Sequence, residues 1–202
     1  MKPFTTLTAI AAPFEQPNID TNQLCPTRFN KVPRGPKYAR VLFHDLRFNA
    51  DGSEKEFILN AEPYNKSGVI VADRNFGCGS SRESAVYALY EFGIRCVIAP
   101  SFGDIFANNC SKNGLLAVAL PDAACAEIRR QLRDHVGATV SIDLATQTVT
   151  DLAGTVHRFD IHPVRKTCLL EGLDDIARTA QYDAQFDAFE AKYKKARPWL
   201  YA

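Results

Sequence analysis

The stretch VIVADRNFGCGSSRESAVYALYEF at positions 69–92 joins two apolar segments through a glycine loop. Residues 69–72 are typical of a buried strand, and residues 81–92 have the spacing of an amphipathic helix. Gly77 and Gly79 allow the backbone to turn tightly and to approach a ligand closely. The stretch therefore predicts a strand–loop–helix unit, with the loop at the position where a ligand binds.

The residues at the predicted start of this helix indicate an anion site. Ser80 or Ser81 is expected to cap the helix, because a hydroxyl there accepts hydrogen bonds from free N–H groups. Those N–H groups, the positive end of the helix dipole and Arg82 together favour an anion. Two hydroxyls beside a guanidinium suit a carboxylate better than a nucleotide, and the phosphate-loop and dinucleotide glycine patterns are absent. A capped turn with a solvated arginine is the alternative interpretation.

Composition restricts the class of protein. The chain has 202 residues, 46% of them hydrophobic and 23% charged, which fits one domain, or one domain with a tail. A net charge of +1 gives no indication of a nucleic-acid or anionic-membrane partner. No apolar run approaches the ~20 residues of a membrane-spanning helix, and the N-terminus lacks the apolar core of a signal peptide. We expect a cytoplasmic protein.

The cysteines are not arranged as metal ligands. None forms a Cys-x-x-Cys pair or has a histidine at zinc-ligand spacing. Most are expected to be buried thiols in a reducing compartment. The six are Cys25, Cys78, Cys96, Cys110, Cys125 and Cys168. Cys78, in the glycine loop, is the exception, and we expect neither a metal site nor an iron–sulfur cluster held by this chain.

Strands and helices alternate through the centre of the chain, which predicts a parallel or mixed sheet with helices packed on it. The expected strands lie near 4–11, 68–72, 96–99 and 115–120, and the helices near 81–92, 103–112 and 122–135. Short alternating strands near 139–144, 148–151 and 156–161 then predict a β-rich lobe. Residues 171–194 are predicted to be helical, with a stripe of Ile176, Tyr182, Phe186 and Phe189 that packs in the core or on a partner.

A cationic loop near the N-terminus has two interpretations. Arg28, Lys31 and Arg34 follow one another among several prolines. They could be solvated charges, or the loop could be mobile and carry a guanidinium to a dicarboxylate, which an arginine binds bidentately. We expect the loop to be mobile without a partner, because of its prolines, its cations and its lack of apolar anchors.

Residues 75–83, NFGCGSSRE, resemble the signature of the aconitase-type swivel domain, and in particular that of the 3-isopropylmalate dehydratase small subunits. Similar motifs follow in order along essentially the whole chain. They are NIDTNQLCP at 18–26, FILN at 57–60, SFGDIF at 101–106, GLDDI at 172–176 and PWL at 198–200. The resemblance implies an α/β fold: a three-layer β/β/α swivel-type domain with a mixed sheet or partial barrel and helices outside. It would span residues 1–170, with a flexible substrate loop at about 28–38 and a C-terminal helical extension at 171–202 packing on it.

The resemblance also implies an activity. Such small subunits interconvert 2-isopropylmalate and 3-isopropylmalate by dehydration and rehydration in leucine biosynthesis. They work only with a large subunit that holds a [4Fe-4S] cluster, as a heterodimer or heterotetramer. The alternatives are a related hydro-lyase acting on citraconate, dimethylmalate or a homologous diacid, and a non-catalytic carboxylate-binding module.

By the same resemblance, Ser80 is the catalytic base, and Ser81, Arg82 and Arg34 bind substrate. The supporting residues would be Gly77, Cys78, Gly79, Asp20 and Thr21.

Three departures bear on the substrate. The family commonly carries Asp where this chain has Asn22, His where it has Ser84, and Pro-Trp at positions 86–87, which are Val-Tyr here.

Overall fold

The computed structural model describes residues 1–79 and 82–201, whose strands form one seven-stranded mixed sheet in the order β4-β3-β2-β1-β5-β6-β7. The strands are β1 (Thr6–Pro13), β2 (Val69–Val71), β3 (Cys96–Ala99), β4 (Leu116–Ala119), β5 (Thr139–Asp143), β6 (Thr148–Thr150) and β7 (Val156–Arg158). Strand β1 divides the sheet into two halves. It pairs in parallel with β2, where Ala11 is opposite Val69, and antiparallel with β5, where Thr8 is opposite Ser141.

The connections between strands explain why one half of the sheet is parallel and the other antiparallel. Helical crossovers join the parallel strands β2, β3 and β4, whereas β5, β6 and β7 are linked by short turns and pair antiparallel. The α-helices are α1 (Thr21–Leu24), α2 (His44–Arg47), α3 (Glu83–Phe92), α4 (Asp104–Lys112), α5 (Asp122–Asp134), α6 (Pro163–Glu171), α7 (Asp175–Ala180) and α8 (Asp183–Ala196). Short 3-10 helices cover Thr27–Phe29, Pro36–Arg40, Ile58–Asn60, Tyr64–Lys66 and Pro198–Leu200.

The sheet separates two apolar cores, because successive side chains of a strand point to opposite faces. Ile70 in β2 joins the cluster that contains Leu89 of α3. Its neighbours Val69 and Val71 join the cluster on the other face, which contains Ile128 of α5. The α3 face carries the glycine loop, so the first core holds the loop in place.

The expected α/β class and mixed sheet are confirmed. Helix α3 begins at Glu83 with Arg82 in the N-cap position, so the expectation that a serine fills that position is wrong. Residues 171–194 are largely helical, as expected, and are divided between the end of α6 and helices α7 and α8. Gly172 has a φ of 73° and ends α6, and Asp174 caps α7 by accepting from the N–H of Ala177.

The predicted apolar stripe lies on the surface. Ile176 is 79% exposed and Phe189 is 62% exposed, and Tyr182 and Phe186 are each about half exposed. The stripe therefore does not pack in the core, and partner packing is the interpretation that remains. The division of the chain at residue 170 stays a prediction.

Among the residues that the structure describes, no helix has both the length and the apolar character needed to cross a bilayer.

Shortening a buried side chain in the parallel half of the sheet should destabilise the protein. Ile98 is fully buried in β3, an interior strand of the sheet, so Ile98→Ala should lower the free energy of unfolding by about 2–5 kcal/mol. Urea denaturation measures the change. Ile105→Ala, at a half-exposed position of α4, is the control and should cost much less. Equal losses for the two variants would contradict this account of the core.

Candidate active site

The glycine loop after β2 lies directly against the start of α4. Gly77 and Gly79 have φ values of 72° and 92°, which only glycine adopts readily. A Cβ on Gly77 would lie 2.2 Å from the ring of Phe106, and one on Gly103 would lie 2.5 Å from the carbonyl oxygen of Gly77. Side chains at these two glycines would force the segments apart, so the contact depends on glycine at both.

Backbone hydrogen bonds fix the loop from two sides. They join Phe76 N to Ser101 O (3.0 Å), Gly77 N to Ile19 O (2.7 Å) and Thr21 N to Cys78 O (2.9 Å). The loop therefore lies between the segment that follows β1 and the segment that follows β3. It is placed at the carboxyl end of the parallel strands, where α/β proteins commonly bind ligands.

Asp20 organises the segment beside the loop. Its Oδ1 accepts from the N–H groups of Asn22 (2.8 Å) and Gln23 (2.7 Å), and the Gln23 side chain accepts from the Asp20 N–H. This capping box fixes the start of α1. Thr21 follows as a buried residue next to Gly79. Asp20 and Thr21 thus lie beside the loop, and the Asp20 carboxylate acts as a helix cap.

Arg82 reaches back across the loop to α1. Its Nη1 donates to Oδ1 of Asn22 at 2.8 Å and to the carbonyl oxygen of Cys25 at 3.3 Å. Asn22 Oδ1 also accepts from the hydroxyl of Thr27 at 3.1 Å, which orients the amide. These two acceptors among the described residues are neutral, so they orient the guanidinium without cancelling its charge. An anion at the N-terminus of α3 would meet this charge and the positive end of the helix dipole.

Arg34 lies elsewhere. Its Nε donates to Glu91 Oε1 at 2.8 Å, and its guanidinium carbon is 4.5 Å from the ring centre of Tyr87 and 5.3 Å from that of Tyr90. Glu91 comes eight residues after the first residue of α3, which is about 12 Å along the helix axis. The structure therefore places Arg34 against the middle and the end of α3, whereas Arg82 lies at its start.

The 28–38 loop is anchored near both of its ends. Tyr38 is buried, and its hydroxyl lies 3.5 Å from the Cys25 thiol. The Ser84 hydroxyl donates to Asn30 Oδ1 at 2.9 Å. Arg28 pairs with Asp45 and lowers the pKa of that carboxyl to about 2. The expectation that the loop lacks apolar anchors is wrong at Tyr38, which no periodic pattern marks as a core residue.

One cavity borders the glycine loop, and another lies farther along α4. A cavity of about 190 Å³ borders the glycine loop and is lined by Gly77, Gly79, Gly103 and the first turn of α4. A larger one of about 350 Å³ lies between α4, α6 and α7, where Lys112, Arg165 and Arg178 alternate with Asp174 and Asp175. We place the candidate site at the smaller cavity, because the loop glycines line it and the larger cavity lacks the predicted residues among its described lining.

The thiols match the expectation from sequence. Cys25, Cys96, Cys110 and Cys125 are buried, and Cys78 and Cys168 are partly exposed. Burial raises the pKa of the Cys96 and Cys110 thiols, and that of Cys125 to about 11. Across residues 1–79 and 82–201, no group of three or more His, Cys, Asp or Glu side chains is arranged to hold a metal ion.

Ser80 and Ser81 lie outside the described residues, so their predicted roles stay predictions. Asn22 and Ser84 stood out in the sequence as departures, but their contacts with Arg82 and Asn30 could not be read from it. Glu91 gave no signal, because an acidic residue on an amphipathic helix ordinarily faces solvent.

Comparison with known proteins shows which proteins this chain is similar to. Residues 1–123 match the family model of the aconitase C-terminal domain, and residues 126–163 match the model described as LeuD_N. The 3-isopropylmalate dehydratase small subunit of Roseobacter denitrificans is 47% identical over 201 residues, which cover 99% of this chain and 100% of that protein. The small subunit of Phenylobacterium zucineum is 49% identical over 203 residues, covering 99% and 98% of the two chains.

The chain belongs to the 3-isopropylmalate dehydratase small-subunit family. The fold agrees. The crystal structure of 3-isopropylmalate dehydratase (leuD) from Methanocaldococcus jannaschii superposes with a TM-score of 0.61 at 25% identity, over 93% of this chain and 99% of that one. The resemblance inferred from the glycine loop and the swivel-type fold that it implies are both confirmed.

The contact between Arg34 and Glu91 should restrain the loop. In Glu91→Gln the ion pair is lost while the stacking on Tyr87 remains, so amide exchange between residues 29 and 35 should quicken by about two- to five-fold. Hydrogen–deuterium exchange of the isolated chain measures this. Glu127→Gln, which removes a distant exposed ion pair with Arg130, should leave the loop unchanged. Unaltered loop exchange in Glu91→Gln would show that the ion pair does not hold the loop.

Proposed function

We propose that this chain is the substrate-binding small subunit of a 3-isopropylmalate dehydratase, which interconverts 2-isopropylmalate and 3-isopropylmalate in leucine biosynthesis. The observation that carries the proposal is the placement of Arg82 at the N-terminus of α3, oriented by neutral acceptors beside the glycine loop. Full-length similarity to small subunits of that dehydratase supports the choice of reaction.

The reaction needs cations for two carboxylates of the substrate. Arg82 is suited to one of them, since a guanidinium binds a carboxylate bidentately. Arg34 would bind the other after it leaves Glu91 and the 28–38 loop closes over the substrate. Its resting position therefore makes loop closure a step of substrate binding.

Ser80 is the proposed base that removes the proton from the carbon next to the departing hydroxyl. A serine hydroxyl is a very weak base, and its use requires a positive site from which water is excluded. The Arg82 guanidinium and the N–H groups at the start of α3 supply such a field. Ser81 would support the same site by hydrogen bonding.

The partner would be the large subunit of the dehydratase, carrying a [4Fe-4S] cluster. Bound there, the cluster would supply a Lewis acid for the departing hydroxyl. The described residues of this chain offer no donor set for a metal, so we assign the cluster to the partner. The isolated chain should then be inactive, and the complex, as a heterodimer or heterotetramer, is proposed to work in the cytoplasm.

A second candidate function, with a different diacid as substrate, is supported by Asn22 and Ser84. Asn22 contacts Arg82 directly, and Ser84 binds the 28–38 loop, so both departures from the family pattern touch the region that would select the substrate. A related diacid such as citraconate or dimethylmalate is therefore the alternative substrate. Comparing kcat/KM for these acids and 3-isopropylmalate in the reconstituted complex decides between them, and a higher value for another diacid would displace the proposal.

Replacing the proposed base tests the assignment of Ser80. Ser80→Ala should abolish turnover by the reconstituted complex, because the hydroxyl that takes the proton is missing. Subunit assembly, followed by analytical ultracentrifugation, should be unchanged. Turnover that survives at the wild-type rate in the assembled Ser80→Ala complex would defeat the assignment.

The contact between Asn22 and Arg82 should matter for substrate binding. Asn22→Ala removes an acceptor that orients the guanidinium, and kcat/KM should fall about ten-fold, the loss expected for a hydrogen bond to a charged group. Asn22→Asp retains an acceptor oxygen but brings a negative charge to Arg82, so its kcat/KM should fall by only a few-fold, less than in Asn22→Ala. Steady-state kinetics of the three complexes provide the comparison. An Asn22→Ala enzyme as active as wild type would show that Arg82 is positioned without this contact.

A further inference from the structure

The C-terminal helix α8 and the turn after it present an aromatic surface that the described part of this chain does not cover. Tyr182, Phe186, Phe189 and Tyr193 recur at intervals of four, three and four residues, so they share one face of the helix. Phe189 stacks on Tyr193 with ring centres 5.5 Å apart, and Tyr193 meets Tyr201 edge-on at 6.4 Å. Together with Trp199, which is 69% exposed, these six residues form what we call the tail surface.

The helix is too exposed to be stable by its own packing. Within the described chain, every residue of α8 is exposed except Tyr193, which is partly buried. α8 has 14 residues, and isolated helices shorter than about 12–15 residues are marginal in water. In proteins, most helix stability comes from packing an apolar face. The tail surface is the face available for that packing.

The size and chemistry of the tail surface match a protein interface. Its half-exposed aromatic side chains, with the exposed Leu200 beside them, present on the order of 600–700 Å² of apolar area. A stable interface buries about 800 Å² on each partner. Tyrosine, tryptophan and phenylalanine are also the residues enriched in interface cores.

The position of this surface in the sequence indicates which partner covers it. The aconitase C-terminal domain model ends at residue 123 and the second family model at residue 163, so the tail lies beyond both. The stand-alone small subunits nevertheless align with 99% of the chain, so the alignment extends into the tail. The tail thus lies outside the domain that the first model describes, which by its name is the C-terminal part of a longer protein. It lies inside the stretch that is shared with separate small subunits. A domain of a longer chain is joined to the rest by the backbone, whereas a separate subunit needs a contact surface in its place.

We propose that the tail surface is a docking site for the large subunit, an inference that rests on the proposed function. Lys194 lies over the ring of Tyr201 at 5.3 Å, and Arg197 lies over that of Tyr193 at 4.7 Å. The complementary site on the large subunit is therefore an apolar groove that receives Phe186 and Phe189, with carboxylates along the edge facing Lys194 and Arg197.

Two substitutions on opposite faces of α8 test the proposal. Phe189→Glu places a charge in the centre of the tail surface, and Ala191→Glu places the same charge on the exposed opposite face. Isothermal titration of the full-length chain with its cognate large subunit measures the affinity. We expect Phe189→Glu to raise Kd by at least about 30-fold, as for the loss of an aromatic hot spot, and Ala191→Glu to leave it within two-fold. Far-ultraviolet circular dichroism and urea denaturation establish that both variants fold.

Other outcomes overturn the proposal. Wild-type affinity in Phe189→Glu, or equal losses in both variants, would remove the tail surface from the subunit interface. If the wild-type chain alone forms a dimer that Phe189→Glu dissociates, while affinity for the large subunit is unchanged, the occupant is a second copy of this chain. Tight binding without turnover of 3-isopropylmalate would instead count against the proposed function and leave the docking site standing.

Discussion

The close approach of two backbone segments underlies the whole candidate site. Gly103 lies where a Cβ would meet the Gly77 carbonyl oxygen at 2.5 Å, and Gly77 lies where a Cβ would enter the ring of Phe106. Since the loop is hydrogen-bonded on its other side to Ile19 and Thr21, it has no freedom to retreat. The described part of the loop, up to Gly79, is therefore held in one position, and Arg82 at the start of α3 contacts the neighbouring α1 segment through Asn22.

Arg82 and Arg34 differ in the charge of the groups that they contact. Arg82 is oriented by an amide and a carbonyl oxygen, so its charge is kept for a ligand. Arg34 is paired with Glu91 near the end of α3 and stacked on Tyr87 near its middle. Under the proposed function, the two cations would bind the two carboxylates of the substrate. Arg82 would position one end of the substrate, and Arg34 would act only when the loop closes.

The sequence predicted those features that depend on local patterns. The strand at 96–99 and the helix near 103–112 follow from apolar runs bounded by glycine and asparagine, and the structure places them within a residue of the expected positions. The nine residues of the glycine loop were enough to identify the family, because their order is specific. The contacts of Asn22 with Arg82 and of Arg34 with Glu91 join residues about 60 positions apart. Such contacts depend on how the sheet brings segments together, and no local pattern encodes them.

The C-terminal stripe also shows what a sequence pattern cannot decide. Its periodicity correctly indicated an apolar helix face, but periodicity is the same for a face that packs in the core and for one that packs on another chain. Only the exposure of Phe186 and Phe189 in the folded chain separates the two cases. The exposed face is the one that the proposed docking to a large subunit would cover.

The most direct test of this account is turnover of 3-isopropylmalate by the chain alone and after anaerobic mixing with its large subunit and a reconstituted cluster. The account predicts no activity for the chain alone and isomerisation in the mixture, with the alkene intermediate detectable by its ultraviolet absorbance. A mixture that forms the complex, carries the cluster and still leaves 3-isopropylmalate unchanged would contradict it.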